Sequence, residues 1–444
     1  MNTHVAVIGA GPAGIFAAKT LTNAGIKVAL INRDIKPGGL AEYGIYHNKY
    51  KMKSGLRKQF KKALGDENLH YFGNVVVGEE GDITIAALKQ AGFDAILVTV
   101  GAQGTKWLGL PGEDLRGVYH AKDLVYHYNK LPPYSQQAFE IGKRVALIGV
   151  GNVMVDIAHW SIRDLKVDEV VAVARRGPAD VKFTKKELEH VASNLDLKAL
   201  DTEIERTKPV LKAAGQDPSA AKAFILSALE NAEPAISDST FRFDFLASPQ
   251  RIVGDETGKV IGLEVEETTL ELRDGGGTKS IGLGKTRVID VDTVVFCIGD
   301  RVDQNFGLPL DKWQEFAKHP HPQFPVDETS YEAYNPENDE WVEGIFLAGW
   351  AREASSGLVG SARKDGTNGA NAARSYLETL GGKSAQTDAV AALQAALDKL
   401  GKPVVSKEDW QRLELAETAK AAESNLEEFK FASNEEMLAV MALD

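Results

Sequence analysis

A chain of 444 residues with a formal net charge of −12 is too long for one hydrophobic core, and about two or three domains are expected. An apolar fraction of 43% with 26% charged residues is that of a globular chain, and the acidic surplus argues against nucleic acid or an anionic membrane as main partner, or else serves solubility alone. The single cysteine, Cys297, excludes an internal disulfide, a cysteine-held iron–sulfur cluster and a C-x-x-C dithiol pair.

The first element is an apolar strand, Val5–Ile8, that feeds Gly9-Ala10-Gly11-Pro12-Ala13-Gly14 and then a helix-like segment, Ile15–Leu21. Glycine lets the backbone approach a pyrophosphate, and the helix N-terminus that follows receives its charge. Gly9, Gly11, Pro12, Ala13 and Gly14 are therefore candidate dinucleotide-binding residues. The strand begins too early to leave room for a leader peptide, and no run of about 18 apolar residues occurs. The expectation is a cytoplasmic protein without a membrane span. Lys27–Ile31 reads as the second strand. A carboxylate usually ends that strand and holds the ribose hydroxyls. Here the position is Asn32, which can bond a hydroxyl but brings no charge; Asp34 nearby is either a substitute or a solvated loop residue.

Pro37–Ile45, PGGLAEYGI, is a glycine-punctuated loop. It is either an irregular connection or a segment laid along a flat ligand ring. Phe93–Val100 is a further buried strand closed by Gly101-Ala102, an ending shared by many flavin domains, and Leu110–Asp114 is a turn where the chain crosses between domains. Arg144–Ile148 with Gly149-Val150-Gly151-Asn152-Val153 repeats the strand–glycine–helix design without the third glycine. Two such units mean two nucleotide domains. The next strand, Glu169–Ala174, ends in Arg175-Arg176. Arginine at this place accommodates a 2′-phosphate in bidentate fashion, which favours NADP over NAD; the alternative is a pair of solvent-exposed cations.

Residues 201–235 read as an alanine-rich helical insertion, and Phe241–Phe245, Val260–Glu267 and Thr286–Ile298 as strands, the last burying Cys297. Gly344–Trp350 is a short buried strand, after which Ser355–Gly360 opens a helix running to about Leu380. Its N-terminus suits the N1/O2 edge of a flavin and returns the chain to the first domain. Thr387–Leu400 and capping boxes at Ser406–Asp409 and Ser433–Glu436 give a packed helical tail. The nine histidines show no metal-ligand spacing.

Together these segments resemble the adrenodoxin-reductase-type ferredoxin–NADP(+) reductases, FAD flavoproteins related to the glutamate synthase small subunit. The carrying motifs are GAGPAG at 9–14, PGGLAEYGI at 37–45, LPGEDLRGVYHAKDLV at 110–125, GVGNVMVDIA at 149–158, ARRGPADVKFTKKEL at 174–188, GWAREASSGLVG at 349–360 and VVSKEDWQRLELAE at 404–417. The resemblance implies an α/β fold with two Rossmann-like dinucleotide-binding domains: a discontinuous FAD domain at 1–104 and 339–383, an inserted NADP domain at 105–338, and a helical C-terminal extension at 384–444.

It also implies site roles. Gly9, Gly11 and Gly14 would bind the FAD pyrophosphate, with Gly39, Leu40 and Gly101 beside the flavin. Gly149, Gly151, Asn152 and Val153 would hold NADP, Arg175 and Arg176 its 2′-phosphate, and Glu187 a ribose or the nicotinamide half. Gly349, Trp350, Gly357, Leu358 and Val359 would line the flavin and nicotinamide, with Trp350 and Asp156 nearest the chemistry. The implied activity is hydride transfer between NADPH and FAD with single electrons passed to a ferredoxin or flavodoxin. Alternatives are the flavin subunit of a larger iron–sulfur complex and a non-catalytic dinucleotide sensor. Three departures stand out: Asn32 replaces the family's acidic ribose ligand, Lys49 takes the place of a family histidine with His47 two residues earlier, and Glu42 stands where a basic residue is common.

Overall fold

The computed structural model of the protein describes residues 3–381 and 388–443. The expected join between the second FAD segment and the tail, at 382–387, lies outside the described residues. The chain begins with β1 (His4–Ile8), α1 (Pro12–Thr22), β2 (Lys27–Ile31), α2 (Leu40–Tyr43), α3 (Tyr50–Leu64), β3 (Leu69–Phe72), α4 (Ile85–Gln90), β4 (Ala95–Val98) and a two-residue β5 (Gly104–Thr105). Next come β6 (Val118–His120), α5 (Ala121–Tyr128), β7 (Arg144–Ile148), α6 (Asn152–Arg163), β8 (Glu169–Val173), α7 (Lys185–Leu188), α8 (Leu197–Ala213), α9 (Pro218–Ser227) and β9 (Thr240–Asp244). Then follow β10 (Ala247–Gly254), β11 (Val260–Leu272), β12 (Thr278–Ile289), β13 (Thr293–Phe296) and β14 (Asp300–Arg301). The chain closes with β15 (Glu332–Asn335), β16 (Glu340–Leu347), α10 (Val359–Thr379), α11 (Ala389–Leu397), α12 (Lys407–Glu423) and α13 (Asn434–Met441).

Two compact units result: the described residues of Met1–Thr105, Tyr126–Gln136 and Gly299–Asp444, and those of Lys106–Val125 with Gln137–Ile298. In the first unit a six-stranded sheet runs β15-β16-β4-β1-β2-β3, with every neighbouring pair parallel except β15–β16. Parallel strands covered on both faces need apolar side chains on both, which is why β1 and β2 after their first residues, and all of β4, are apolar runs. On one face Val5, Val7, Leu30 and Leu97 meet Ile15 and Leu21 of α1 and Ala373 of α10. On the other, Ala6, Ile8, Ile31 and Ile96 meet Leu88, Leu393 and Leu397.

Helix α10 crosses α1 at Gly366, where an added Cβ would lie 2.1 Å from the Ala13 carbonyl oxygen. The tail packs as expected, with Trp410, Leu413, Met437 and Met441 buried in the same core as β1. The capping box at Ser406 is complete. That at Ser433 is half formed, since its Glu436 side chain accepts from Ala432 rather than from the cap.

The chain returns to the first unit at Gly299, ahead of the expected boundary at 338, because Val302, Phe306, Leu308 and Phe316 belong to its core. The second unit holds a five-stranded parallel sheet, β6-β13-β7-β8-β9, and an antiparallel sheet, β10-β11-β12. The strand expected over Thr286–Ile298 is two strands. Asp292 sits in the break, and its carboxylate accepts from the N–H of Arg144 at 3.0 Å and from the Arg144 guanidinium at 3.0 Å, which fixes the turn to the start of β7. The 201–235 stretch is helical, as α8 and α9. Among the described residues no helix is long and apolar enough to cross a membrane, and no group of three or more His, Cys, Asp or Glu side chains could hold a metal ion.

Candidate functional site

In the first unit the predicted residues converge on the turn between β1 and α1. Gly9 takes φ +102°, and a Cβ there would come within 2.6 Å of the Thr99 carbonyl oxygen. Gly14 is tighter still: its Cβ would meet the Gly9 carbonyl oxygen at 1.9 Å. Both glycines are demanded by packing. Gly11 differs, since a Cβ there would meet nothing within 4 Å; it forms the N-cap of α1, with Pro12 in the first turn. The glycine loop is fastened to this turn. Gly38 N–H donates to the Ala10 carbonyl at 2.7 Å, and a Cβ on Gly39, which has φ +50°, would touch the Gly11 Cα at 3.0 Å. Leu40 begins α2 and packs on Tyr43, Tyr126 and Leu131. Gly101, with φ +73°, turns the chain after β4.

The return segment reaches the same turn. Gly349, with φ +66°, would place a Cβ 2.7 Å from the Ala13 Cβ, and its N–H donates to Asp365 at 2.6 Å. Trp350 is half-buried, its indole N–H donating to the Ser356 carbonyl at 2.7 Å. Gly357 has φ +73°, Leu358 is 71% exposed, and Val359 starts α10 and packs on the core. The side chains expected beside a flat ring therefore stand at the N-terminus of a helix whose axis is locked to α1.

The second unit repeats the arrangement. Gly149 takes φ +122°, and a Cβ there would lie 2.5 Å from the Cys297 carbonyl oxygen, whereas Gly151 again has nothing within 4 Å and caps α6. The absent third glycine is Met154, fully buried. The loop after β8 folds over this turn. Lys182 N–H donates to the Val150 carbonyl at 2.8 Å, and Thr184 N–H to the Asn152 side chain at 2.9 Å. Thr184 then caps α7 through the Glu187 N–H at 3.3 Å, so Glu187 is tied to the second turn. Val153 is exposed at the start of α6. At the end of β8, Arg175 is exposed, while Arg176 lies 3.5 Å from Asp180. Asp156, half-buried on α6, faces the region of Cys297. Burial pushes the Cys297 thiol well above its ordinary value, and the Asp156 charge adds to the shift. Trp350 and Asp156, both expected near the chemistry, lie on different units.

Residues 3–222 match the pyridine nucleotide-disulphide oxidoreductase family. The NADPH-ferredoxin reductase FprA of Mycobacterium leprae is 29% identical over 394 residues, covering 82% of this chain and 81% of that protein. The mitochondrial NADPH:adrenodoxin oxidoreductase of Salvelinus fontinalis is 27% identical, covering 99% and 91%. The structure of FprA from Mycobacterium tuberculosis superposes with a TM-score of 0.82 at 26% identity, over the whole of both chains. Over its whole length the chain is thus similar to the adrenodoxin-reductase-type ferredoxin–NADP(+) reductases. In this chain the departures noted in the sequence have a structural explanation.

Asn32 is buried, and both ends of its amide are engaged: the nitrogen donates to the carbonyls of Asp34 at 2.8 Å and Lys36 at 3.1 Å, and the oxygen accepts from Ala10 N–H at 3.0 Å. These bonds brace the loop that follows the second strand. His47 packs between Tyr46 and Tyr128, with ring centroids 4.6 and 5.7 Å away, and Lys49 caps α3 through its backbone.

Glu42 is the centre of a buried ionic cluster that sequence reasoning missed. It accepts from Arg57 at 2.6 and 2.5 Å, lies 3.0 Å from Lys430 and 3.4 Å from Lys36, and Lys36 also pairs with Glu417. Burial alone would raise the Glu42 carboxyl; Lys36, Lys430 and Arg57 hold it well below the usual value of 4.5. Thus the tail, through Glu417 and Lys430, fastens the glycine loop from beneath. Also missed were Thr99, whose hydroxyl donates to the Gly9 carbonyl at 2.8 Å, and Asp365, which accepts from Gly349, Arg352 and Tyr331. A threonine ending an apolar strand opposite a glycine turn was the available signal for the first; the others pair residues far apart in sequence.

Proposed function

We propose that this reductase takes a hydride from NADPH onto FAD and passes the electrons singly to a ferredoxin- or flavodoxin-like carrier protein. The observation that carries this reading is the pair of open glycine turns. At Gly11 and at Gly151 an added Cβ would meet nothing within 4 Å apart from its chain neighbours, at the N-terminus of a helix that starts there. Each is a cradle that a side chain would fill, and the free N–H groups and partial positive charge of a helix start suit a pyrophosphate. A flavin, when bound, supplies the conversion of a two-electron hydride into single electrons.

The protein's part is to hold and orient. Gly9, Gly11 and Gly14 would present the first helix start to FAD, with Asn32 shaping the loop on which the ribose lies. Gly39, Leu40, Gly101, Gly349, Trp350, Gly357, Leu358 and Val359 would frame the ring. Gly149, Gly151, Asn152 and Val153 would take the NADPH pyrophosphate, Arg175 and Arg176 the 2′-phosphate and Glu187 a ribose. Asp156 is assigned to the nicotinamide side. No acid–base residue is required for hydride transfer itself, so water exclusion and orientation are the main contributions of the chain. A cytoplasmic setting belongs to the same proposal, supported by a lone buried thiol suited to a reducing compartment.

Purification tests the reading. The protein should carry FAD identified after extraction, and should reduce a neutral quinone with NADPH far better than with NADH. Protein free of flavin, or equal kcat/KM for the two donors, would contradict it.

A further inference from the structure

Helix α3 carries Lys51, Lys53, Arg57, Lys58, Lys61 and Lys62 and no aspartate or glutamate, in a chain whose formal net charge is −12. Its two sides differ. Lys53, Phe60, Ala63 and Leu64 are buried, and Arg57 reaches inward to Glu42 at 2.5 Å. Lys51, Met52, Ser54, Gly55, Lys58, Gln59 and Lys62 are exposed. Positions 51, 55, 58 and 62 recur at helical spacing, so three lysines and a glycine form one row along the outer side. A Cβ at Gly55 would meet nothing within 4 Å, which leaves the middle of the row low and bare. Among the described residues no carboxylate pairs with Lys51, Lys58 or Lys62, while Lys61 leans to Glu414 at 3.7 Å.

We infer that the outer face of α3 is a docking surface for an acidic electron-carrier protein, an inference that rests on the reductase reading above. Two observations commit it to that partner. A carrier with surplus carboxylates would be repelled by a chain of net charge −12 except where a local cationic row faces it, and this row is unneutralised. The inner side of the same helix grips the glycine loop through Arg57 on Glu42, and holds the segment after it through Lys53, which donates to the His47 carbonyl at 3.4 Å. A partner on the outer face is thus about one helix diameter, ~10 Å, from the segment assigned to the flavin. Met52, 52% exposed beside the lysines, offers a small adaptable apolar contact.

The test uses the holoprotein and a triple variant, Lys51→Glu with Lys58→Glu and Lys62→Glu, and a milder triple glutamine variant. The readouts are NADPH-driven reduction of an acidic two-iron ferredoxin over a salt series, and reduction of the neutral quinone menadione. The expected result is a loss of about tenfold or more in kcat/KM for ferredoxin at low salt in the glutamate variant, a smaller loss with glutamine, and a flattened salt dependence. Menadione reduction and the KM for NADPH should be unchanged. Ferredoxin kinetics within about twofold of wild type, with the same salt dependence, would overturn the docking surface while leaving the reductase reading standing. Wild-type protein unable to reduce menadione with NADPH would overturn both. Lysine-dependent sedimentation with phosphatidylserine vesicles, alongside unchanged ferredoxin kinetics, would give the face to a lipid surface instead and overturn the proposal.

Discussion

Exchanging Glu42 for glutamine removes one charge from under the glycine loop while keeping the side chain's size. Glu42 is 3% exposed, and its partners Lys36 and Lys430 are 4% and 5% exposed, so water cannot replace it for them. Arg57, at 28%, can be resolvated, and it retains Glu428. Lys36 retains Glu417. Lys430 loses its nearest carboxylate and keeps the carbonyls of Glu42 at 2.8 Å and Asn129 at 3.3 Å, the Tyr43 ring with its centroid at 4.9 Å and the more distant charge of Glu428. One buried cation is left without a paired carboxylate rather than three. Breaking a single buried pair costs about 3–5 kcal/mol, and the lower end applies because one of the partners is part exposed.

Guanidinium unfolding followed by release of the bound flavin, which reports on the first unit, measures the loss. Lys430→Met in the Glu42→Gln background removes the orphaned cation and should restore at least about 1 kcal/mol relative to additivity. The pH dependence has a definite sign. The Glu42 carboxyl titrates below 4.5 when folded, so its contribution is complete above that pH and is lost as pH falls further. Wild type should therefore weaken more steeply than Glu42→Gln below pH 4.5. A Glu42→Gln protein within about 1 kcal/mol of wild type at neutral pH, or a strictly additive double variant, would refute the reasoning.

Other changes separate the roles of neighbouring residues. Arg175→Ala should erode the preference for NADPH over NADH by about 1–3 kcal/mol in kcat/KM, and Arg176→Ala by less, because Arg176 is already 3.5 Å from Asp180. Gly11→Ala should leave the unfolding midpoint of flavin-free protein near that of wild type yet weaken FAD retention, because its Cβ would enter open space. Gly14→Ala should destabilise the fold itself, by more than the usual 1–3 kcal/mol of overpacking, given a 1.9 Å approach to the Gly9 carbonyl oxygen. Cys297 should resist alkylation in the native protein and react once it is unfolded, as mass spectrometry after iodoacetamide would show, because the thiol is buried and held protonated.

The parts of the fold legible in the sequence are those governed by local rules. Parallel strands buried on both faces appear as apolar runs, and Gly9 and Gly149 are fixed by backbone torsions that other residues adopt only with strain. The contrast between Asn32 and Arg175-Arg176 was likewise visible because it sits at the end of a recognisable strand. Long-range packing was not visible. Nothing near Lys36 announces Glu417, nor does Glu42 announce Lys430, and the return of the chain at Gly299 depends on where Val302 and Phe306 are buried. Asn32 illustrates the same limit: its place at the strand end was legible, whereas its hydrogen bonds to the loop backbone were not. The break between β12 and β13 escaped periodicity because Asp292 interrupts an apolar run for the sake of Arg144, about 150 residues earlier.

Anaerobic mixing of the purified holoprotein with stoichiometric NADPH tests the central claim most directly. The two-turn arrangement predicts rapid loss of the oxidised flavin's absorbance with NADPH, and much slower loss with NADH. A bound flavin whose spectrum NADPH leaves unchanged, or a protein that retains no flavin, would contradict it.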